Sequence, residues 1–386
     1  MEEARAMVKR GIRRLARTIP ATFLRGGTSK GIFLRQSHLP QDKSKWDEIF
    51  LGLMGSPDAE YGRQLNGMGG GVSSLSKICV VRPASSKQRE ALGIDVEYTF
   101  VQVGIRDSSI DYSGNCGNLS SMIGVFALDE GMVDNTSHGS DHFTVRAFNT
   151  NTQKIVDTTF PIDHESGLAD LSLPETCIAG VAGEASQIQL DFYRPSGART
   201  GKLLPSGAPM VQLEIAEGTF RASLVDATNP TVFVDQLEII KASGTEDPSD
   251  DKRLRLLEVL RREGAIRMGL DPNAQAQPKI AMLNSPKATD DAADIEILAL
   301  SMGVPHKAVP MTVGLCLGVA ANTRGTLPYT LRRITPVLDT SKLKLVKLRH
   351  PGGIVEVGAT FDTQGEVESA SVIRTGRRLM TGQVWY

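Results

Sequence analysis

Short apolar stretches alternate with polar turns in the same order in two parts of the chain. Each part begins with two predicted strands joined by a polar turn, at residues 21–34 in the first part and 222–234 in the second. A helical pattern follows in each part, at 42–54 and at 250–268. The second part therefore begins with the same plan as the first.

Each part continues with a strand that has a lysine at its entry, and then with an apolar helix of small residues. The two lysines are Lys77 and Lys279, and the two apolar helices are predicted at 116–128 and 312–321. Because these landmarks recur in one order with similar spacing, we infer an internal duplication. Two similar α+β lobes would then face each other, and the cleft between them is the default position for a ligand site.

The predicted domain boundaries follow this duplication. Residues 1–19 form an N-terminal arm, 20–200 the N-terminal lobe and 201–372 the C-terminal lobe. The N-terminal lobe can also include a C-terminal strand at 373–386.

Composition and charge narrow the class of protein. The chain has 386 residues, 40% of them hydrophobic, and a formal net charge of -1. This balance gives no reason to expect nucleic acid or an acidic membrane as a partner, and no apolar run reaches membrane-spanning length. The four cysteines are widely spaced without a CxxC pair, so we expect neither a metal site nor a disulfide framework.

This cysteine usage favours a reducing compartment, and we expect a cytoplasmic protein. The arginine-rich stretch 1–18 resembles a weak transit peptide, which keeps a mitochondrial location as an alternative. Glu2 and Glu3 argue against a transit peptide, and a solvated N-terminal helix or arm is the simpler interpretation.

The segment Ser113-Gly114-Asn115-Cys116-Gly117-Asn118-Leu119 is the strongest candidate for chemistry. Its glycines allow a tight turn, and a buried helix is predicted to begin near Asn118. A thiol at a helix N-terminus lies near free backbone N–H groups and the positive end of the dipole, which favours the thiolate. The same N–H groups can hold a carboxylate. The alternative is a small buried cysteine in a tight turn.

Lys77 is the second candidate. Strand alternation places Leu75, Lys77 and Cys79 on one face, at the mouth of the glycine loop 67–71. The lysine either extends its amine to solvent along apolar neighbours or holds a desolvated amine suited to proton transfer.

Polar turns supply the candidate anion-binding groups. The turn 25–31 offers two cations, two hydroxyls and several N–H groups, although the spacing of a phosphate-binding P-loop is absent. The loop 67–71 allows close approach of backbone to a ligand. Each of these could also be an ordinary turn or bulge.

Several of these segments together resemble the PrpF family, within the diaminopimelate-epimerase-like superfamily. The motifs that carry the resemblance are residues 25–31, 67–71, 73–77, 115–119, 201–205 and 350–353. The similarity spans roughly 20–386. It implies an α+β fold of two pseudo-symmetric lobes, each a curved, mostly antiparallel sheet around a central helix.

The resemblance also implies an activity. Family members include 2-methylaconitate isomerase, aconitate isomerase and 4-oxalomesaconate tautomerase, which shift a C=C bond by allylic proton transfer in a small di- or tricarboxylate without a cofactor. The expected protein is therefore a cofactor-independent isomerase, either a cis-trans isomerase or a double-bond-shifting tautomerase. The alternatives are a racemase, epimerase or PhzF-like isomerase acting on another carboxylate, and a carboxylate-binding protein without turnover. A homodimer is a further option.

The resemblance assigns roles to individual residues. The lysine and cysteine of the family correspond to Lys77 and Cys116, the predicted catalytic pair. The predicted substrate ligands are Arg25, Gly27, Thr28, Ser29, Gly69, Gly70, Gly71, Gly117, Asn118, Asn229, Thr312, Gly352 and Gly353. Epimerases of the superfamily open their second helix with another cysteine, whereas here that place is near Thr312, with Cys316 one turn further on. A lysine–cysteine pair therefore suits the chain better than two thiols.

Overall fold

The computed structural model describes residues 18–112, 115–134, 140–274, 277–287, 292–301, 303–333 and 343–386. Of the predicted N-terminal arm, residues 1–17 lie outside the described residues, while Thr18 and Ile19 already belong to the first strand. Ser113 and Gly114 of the cysteine motif also lie outside the described residues.

Strands dominate the fold. They are β1 (Thr18–Gly26), β2 (Ser29–Arg35), β3 (Lys77–Pro83), β4 (Val96–Val103), β5 (Ile110–Asp111), β6 (His142–Asn149), β7 (Lys154–Pro161), β8 (Ile188–Tyr193), β9 (Val211–Ile215), β10 (Gly218–Ala227), β11 (Asn229–Asp235), β12 (Lys279–Asn284), β13 (Ile295–Ser301), β14 (Val304–Pro305), β15 (Lys344–His350), β16 (Gly353–Phe361), β17 (Val367–Arg374) and β18 (Gly376–Trp385).

The α-helices of the described residues are α1 (Trp46–Met54), α2 (Ser86–Leu92), α3 (Gly117–Ser120), α4 (Ile123–Asp129), α5 (Gln236–Ser243), α6 (Asp251–Arg267), α7 (Met311–Asn322) and α8 (Leu327–Leu331). Short 3-10 turns lie at Gln36–His38, Lys43–Lys45 and Ser73–Leu75. No helix of the described residues combines the length and apolarity needed to span a membrane.

The chain divides into two compact units. Unit 1 comprises the chain up to Cys177, Gly183–Gln189 and Arg374–Tyr386, and unit 2 comprises Ile178–Ala182 and Leu190–Ile373. The C-terminal strand β18 thus belongs to unit 1. The boundary placed at residue 200 from the sequence lies inside unit 2, which already includes the end of β8.

The sheet of unit 1 has the order β18-β1-β2-β3-β4-β6-β7. Neighbours are antiparallel except for the parallel pairs β2/β3 and β4/β6. Successive side chains alternate between two cores. Phe33 and Cys79 face α3 and α4, whereas Ile32 and Ile78 face α1. The curved sheet therefore encloses α3 and α4 as its central helical segment.

This central segment differs from the single helix predicted over 116–128, because it is interrupted between α3 and α4. The hydroxyl of Ser121 donates to the carbonyl of Asn118 at 2.7 Å, and the N–H of Met122 donates to Leu119 O, three residues back, at 2.9 Å. A side-chain donor thus takes the acceptor that a regular helix would use for Met122. The prediction of one continuous helix was wrong.

Unit 2 repeats this architecture. Its sheet has the order β9-β10-β11-β12-β13-β15-β16-β17, again antiparallel except for two parallel pairs, β11/β12 and β13/β15. The central helix is α7, which is buried from Val313 to Ala321 and packs on β10, β11, β15 and β16. Helices α5 and α6 contribute to a second core with Leu224, Val232 and Ile280.

The matching strand order and matching parallel pairs confirm the predicted duplication and the α+β fold class. One prediction within the duplication was wrong. The polar turn expected between the two strands of 222–234 is a single residue, Thr228, because Ala227 and Asn229 are already paired across β10 and β11. In unit 1 the corresponding turn has two residues, since Gly26 pairs with Ser29.

Candidate active site

The β1–β2 turn lies directly on the start of α3, and glycines make this approach possible. Gly27 has a φ of +51°, and a Cβ there would lie 2.2 Å from Asn118 Oδ1. A Cβ at Gly31 would lie 2.7 Å from Leu119 Cδ1 and 2.8 Å from the Lys77 carbonyl. Since such distances exclude any side chain, the turn brings the start of α3 and the entry of β3 together.

Cys116 occupies the position immediately before α3 and is partly buried against the core of unit 1. Its Sγ lies 3.7 Å from the Oγ of Ser29, within reach of a weak S–H···O hydrogen bond. Its carbonyl accepts from the N–H of Ser120 at 2.9 Å and from the Ser120 hydroxyl at 3.1 Å. The backbone of Cys116 is therefore fixed by α3 while its thiol faces the turn.

A buried network holds the chain on the other side of Cys116. The Tyr98 hydroxyl lies 3.0 Å from Ser120 Oγ and accepts from Asn115 Nδ2 at 3.2 Å, and the Ser120 hydroxyl also donates to Asn115 Oδ1 at 3.3 Å. Burial raises the pKa of Tyr98 to about 12, although the hydrogen bonds from Ser120, Asn149 and Asn115 act in the opposite direction. Tyr98 is thus a neutral phenol that anchors Asn115 beside the thiol.

Asn118 connects the turn to the C-terminal part of unit 1. Its Nδ2 donates to Thr28 Oγ1 at 3.1 Å, and its Oδ1 accepts from Arg374 Nε at 3.1 Å. Both ends of the amide are therefore used, which fixes its orientation. Thr28 is exposed and Ser29 is buried, so the turn presents one hydroxyl outward and one toward Cys116.

Arg374 is a buried cation at this site, with 5% of its surface exposed. Burial lowers its pKa to about 9, and the charge of Cys116 acts in the opposite direction. An arginine with this pKa still carries its positive charge at neutral pH. The site therefore contains a buried positive charge beside the start of α3.

Lys77 begins β3 and is 8% exposed. Its Nζ donates to Oε1 of Gln102, its partner across the β3/β4 ladder, and lies 5.1 Å from the centre of the Phe100 ring. Gln102 Nε2 in turn donates to the carbonyl of Ser76 at 3.0 Å. The amine of this buried lysine is held by one neutral acceptor and an aromatic face, and its role in proton transfer stays a prediction.

Cys79 relates the lysine to the catalytic cysteine candidate. It is 1% exposed on the same face of β3 as Lys77. Burial raises the pKa of the Cys79 thiol, the charge of Cys116 raises it further, and Lys77 lowers it. The charges of Cys116 and Lys77 thus act in opposite directions on the pKa of this buried thiol.

Two predicted ligand groups of unit 1 are engaged in internal hydrogen bonds. Arg25 Nη1 donates to the carbonyl of Gly27 at 3.0 Å and to the carbonyl and hydroxyl oxygens of Thr375 at 3.2 and 3.1 Å. The N–H groups of Gly69 and Gly71 donate to the Met54 carbonyl at 3.2 Å and to Gln64 Oε1 at 2.9 Å.

The backbone of the glycine loop is thus tied to its own surroundings. Gln64 Oε1 also accepts from the Ser76 hydroxyl at 2.6 Å, one residue before Lys77. This loop therefore supports the entry of β3. The roles of Arg25, Gly69, Gly70 and Gly71 in substrate binding stay predictions.

In unit 2, two predicted ligands flank one turn. Asn229 is buried next to Thr228, whose hydroxyl donates to the Thr312 carbonyl at the start of α7 at 2.7 Å. Gly352 and Gly353 lie at the β15–β16 turn, where the Gly352 N–H donates to His350 Nδ1 at 3.0 Å. Their roles as substrate ligands likewise stay predictions.

Sequence reasoning missed Arg374, Gln102 and Tyr98. Gln102 follows from the register of β3 and β4, which the sequence did not give. An arginine after the apolar pair Val372-Ile373 is a signal of a buried charge, but its partner Asn118 is 256 residues away.

The described residues contain no group of three or more His, Cys, Asp or Glu side chains suited to a metal ion. What the site of unit 1 does contain is a partly buried thiol, a desolvated amine and a buried guanidinium, surrounded by hydroxyl and amide donors. A thiol and an amine can act as acid–base groups, and the surrounding donors suit an anion. The fold and site thus define a candidate site for proton transfer on a small anionic molecule.

Comparison with known proteins identifies the family. The sequence model described as PrpF protein matches residues 16–386, and the chain belongs to this family. It is 34% identical to 3-methylitaconate isomerase of Eubacterium barkeri, covering 95% of this chain and 97% of the relative. It is also 34% identical to 2-methyl-aconitate isomerase of Cupriavidus necator, covering 95% and 96%.

A solved structure extends the match to the fold. Methylitaconate-delta-isomerase superposes with a TM-score of 0.83 at 33% identity, and the match covers 96% of both chains. The relatives with a named activity are isomerases, and this chain is an isomerase of the same family, as the resemblance implied.

Proposed function

We propose that this isomerase shifts a C=C bond in a small polycarboxylate such as aconitate, 2-methylaconitate or oxalomesaconate, with Cys116 and Lys77 as its proton-transfer groups. The observation that carries the proposal is that strand β2 lies against both candidates: Ser29 Oγ is 3.7 Å from Cys116 Sγ, and a Cβ at Gly31 would lie 2.8 Å from the Lys77 carbonyl. The named activities of the relatives on methylitaconate and methylaconitate support the choice of substrate class.

The proposed reaction is a 1,3-transfer of one proton. The base removes a proton from the allylic carbon next to a carboxylate, and that C–H electron pair becomes part of a conjugated dienolate. The acid then protonates the far allylic carbon, and the double bond is left in its new position. One C–H bond breaks and one forms, so the step has no net change in oxidation state.

Negative charge develops on carboxylate oxygens during this transfer, and donors already oriented in the free enzyme stabilise it. The Ser29 hydroxyl lies 3.7 Å from Cys116 Sγ, and the backbone N–H of Gly117 and the amide of Asn118 directly follow Cys116 at the start of α3. Thr28 and Gly27 complete the turn that holds them. Asn229, Thr312, Gly352 and Gly353 of unit 2 are proposed as further carboxylate ligands.

The racemase alternative would use a second thiol, and the chemistry of Cys316 weighs against it. Cys316 is fully buried inside α7, and its S–H donates to the Val225 carbonyl at 3.5 Å. Burial raises the pKa of Cys316 to about 12. Such a thiol stays protonated at neutral pH, which leaves Lys77 as the partner of Cys116.

The four cysteines are all free thiols, which agrees with a reducing compartment. We therefore propose a cytoplasmic enzyme, with the mitochondrial alternative resting on residues 1–18. The expected homodimer is tested by sedimentation velocity of the purified protein.

The deciding experiment follows deuterium by proton NMR in D2O. Purified protein is incubated with cis-aconitate, trans-aconitate, 2-methylaconitate, methylitaconate or oxalomesaconate, beside Cys116→Ala, Lys77→Met and the control Cys177→Ala at an exposed thiol. Deuterium at an allylic carbon with a shifted double bond, lost in both site variants but kept in the control, supports the proposal. Turnover that survives both substitutions would refute the assignment of the two groups. Binding without exchange of any substrate would favour the non-catalytic alternative.

A further inference from the structure

Arg374 is a buried cation that lies beside the start of α3, close to Cys116. It ends β17, is 5% exposed, and its Nε donates to Asn118 Oδ1 at 3.1 Å, two residues after Cys116. Its Cδ lies 3.1 Å from the position of a Cβ at Gly27. The side chain thus passes between the β1–β2 turn and the start of α3.

The helix that follows Cys116 offers the thiol little electrostatic help. Helix α3 has only four residues before the interruption at Ser121, and a macrodipole needs several aligned peptide units. The dipole expected from a helix over 116–128 is therefore much reduced. A full positive charge nearby has to replace it if the thiolate is to form near neutral pH.

Arg374 is the cation that hydrogen-bonds to the start of α3, two residues after Cys116. The Arg25 side chain is directed to Thr375 and Gly27 instead. Although burial lowers the pKa of Arg374 to about 9, its guanidinium keeps its positive charge at neutral pH.

We propose that Arg374 is a positioning residue for the reaction, which fixes the Asn118 amide through its Nε and supplies a positive charge that stabilises the Cys116 thiolate at neutral pH. This inference rests on the proposed role of Cys116 in proton transfer. It separates two cationic functions: Arg374 holds a charge beside the thiol, and Lys77 exchanges a proton.

The test measures the alkylation of Cys116 by iodoacetamide from pH 5 to 8, where Arg374 keeps its charge, read by mass spectrometry of the intact protein and its peptides. No substrate is needed, so the result is independent of which carboxylate is turned over. Arg374→Gln is compared with Arg378→Gln, a control that removes a part-buried guanidinium paired with Asp129 of α4. Both are made in a Cys177→Ser background, because Cys177 is exposed.

For Arg374→Gln we expect an alkylation profile displaced upward by about one pH unit, with a rate about tenfold lower at pH 7. The control should keep the parent profile. An unchanged profile in folded Arg374→Gln, or an equal displacement in Arg378→Gln, would overturn the proposal.

Arg374→Lys tests the positive charge separately from the hydrogen bond to Asn118. It also tests the proposal if Arg374→Gln does not fold. Lysine keeps the charge but loses the planar donor group that holds Asn118. The proposal requires a profile within about 0.3 pH unit of the parent, together with a kcat reduced about fivefold or more on the active substrate. A displaced profile despite the retained charge would contradict it. Failure of all substrates with a displaced profile in Arg374→Gln would refute the proposed function but not this inference.

Discussion

The same hairpin-on-helix arrangement occurs in both units, but the cysteine near the central helix is partly buried in unit 1 and buried in unit 2. In unit 1 the β1–β2 turn contacts α3 through Thr28 and Asn118, and in unit 2 the β10–β11 turn contacts α7 through Thr228 and Thr312. In each case a threonine hydroxyl of the turn participates in a hydrogen bond at the start of the central helix. The scaffold is thus shared, while the side chains presented on it are not.

The two central helices differ in continuity. Helix α7 runs without interruption from Met311 to Asn322, and its cysteine, Cys316, is buried within it. In unit 1 the interruption at Ser121 leaves a four-residue α3, and the cysteine lies before it. A thiol at the helix start remains partly accessible, whereas one in the second turn of a buried helix becomes part of the core.

This difference teaches how a duplicated fold can specialise. A cysteine before the helix stays partly accessible, whereas a cysteine within the buried helix packs in the core, and the strand order is the same in both units.

The largest effect is expected at the two cysteines. Cys116→Ala should lower kcat/KM by about 10³-fold, within the range that general acid–base groups contribute. Cys316→Ala should leave kcat/KM within about threefold but lower the free energy of unfolding by about 1–2 kcal/mol, because it leaves a small cavity in α7. Steady-state kinetics and urea denaturation of both variants measure this contrast. A comparable loss of activity in a folded Cys316→Ala would revive the two-thiol mechanism.

The next effect concerns the lysine of unit 1. Lys77→Met should lower kcat by about 10²-fold or more, since the amine takes part in proton transfer. Gln102→Leu should lower kcat about tenfold, because it removes the acceptor that orients the Lys77 amine. Exchange of the allylic proton in D2O measures both, and Lys87→Met at an exposed position of α2 is the control. Equal exchange rates in Lys77→Met and wild type would remove Lys77 from the mechanism.

The turns provide a third contrast, in stability. Gly27→Ala places a Cβ 2.2 Å from Asn118 Oδ1 at a φ of +51°, and we expect a loss of about 3 kcal/mol. Thr228→Gly relieves a β-branched residue at a φ of +65° but loses the hydrogen bond to Thr312. These terms nearly cancel, so its stability should stay within about 1 kcal/mol of wild type. Urea denaturation measures the free energy of unfolding of both variants. Equal losses of stability in the two variants would contradict this expectation.

The repeated order of strands and helices could be predicted from the sequence, because alternation, turn residues and helical periodicity are local signals. The interruption at Ser121 could not, since it depends on a hydroxyl that competes for the Asn118 carbonyl. The single-residue turn at Thr228 required the register of β10 and β11.

The residues of the candidate site also differ in whether the sequence predicts their contacts. Cys116, Ser29 and Asn118 lie together because two local motifs, each visible in the sequence, meet at the β1–β2 turn. Arg374 reaches Asn118 only through the placement of the C-terminal residues in unit 1, a long-range contact that no local pattern encodes.

The smallest effect is a pH dependence that distinguishes the buried thiol from an exposed one. Burial raises the pKa of Cys316 from an ordinary value near 9.0 to about 12. Between these values the unfolded chain loses this proton while the folded protein keeps it, so stability falls as pH rises. From this thiol alone the slope approaches about 1.4 kcal/mol per pH unit above pH 9.

Urea denaturation at pH 8, 9 and 10 measures the slope in wild type, Cys316→Ala and the exposed-thiol control Cys177→Ala. Cys79 and Tyr98, whose pKa values are also raised by burial, contribute to all three proteins. Cys316→Ala should therefore flatten the curve without abolishing it, while Cys177→Ala should follow wild type. Parallel curves for wild type and Cys316→Ala would mean that Cys316 ionises in the folded protein. It would then be a second available thiolate, and the contrast between the two units would lose its chemical basis.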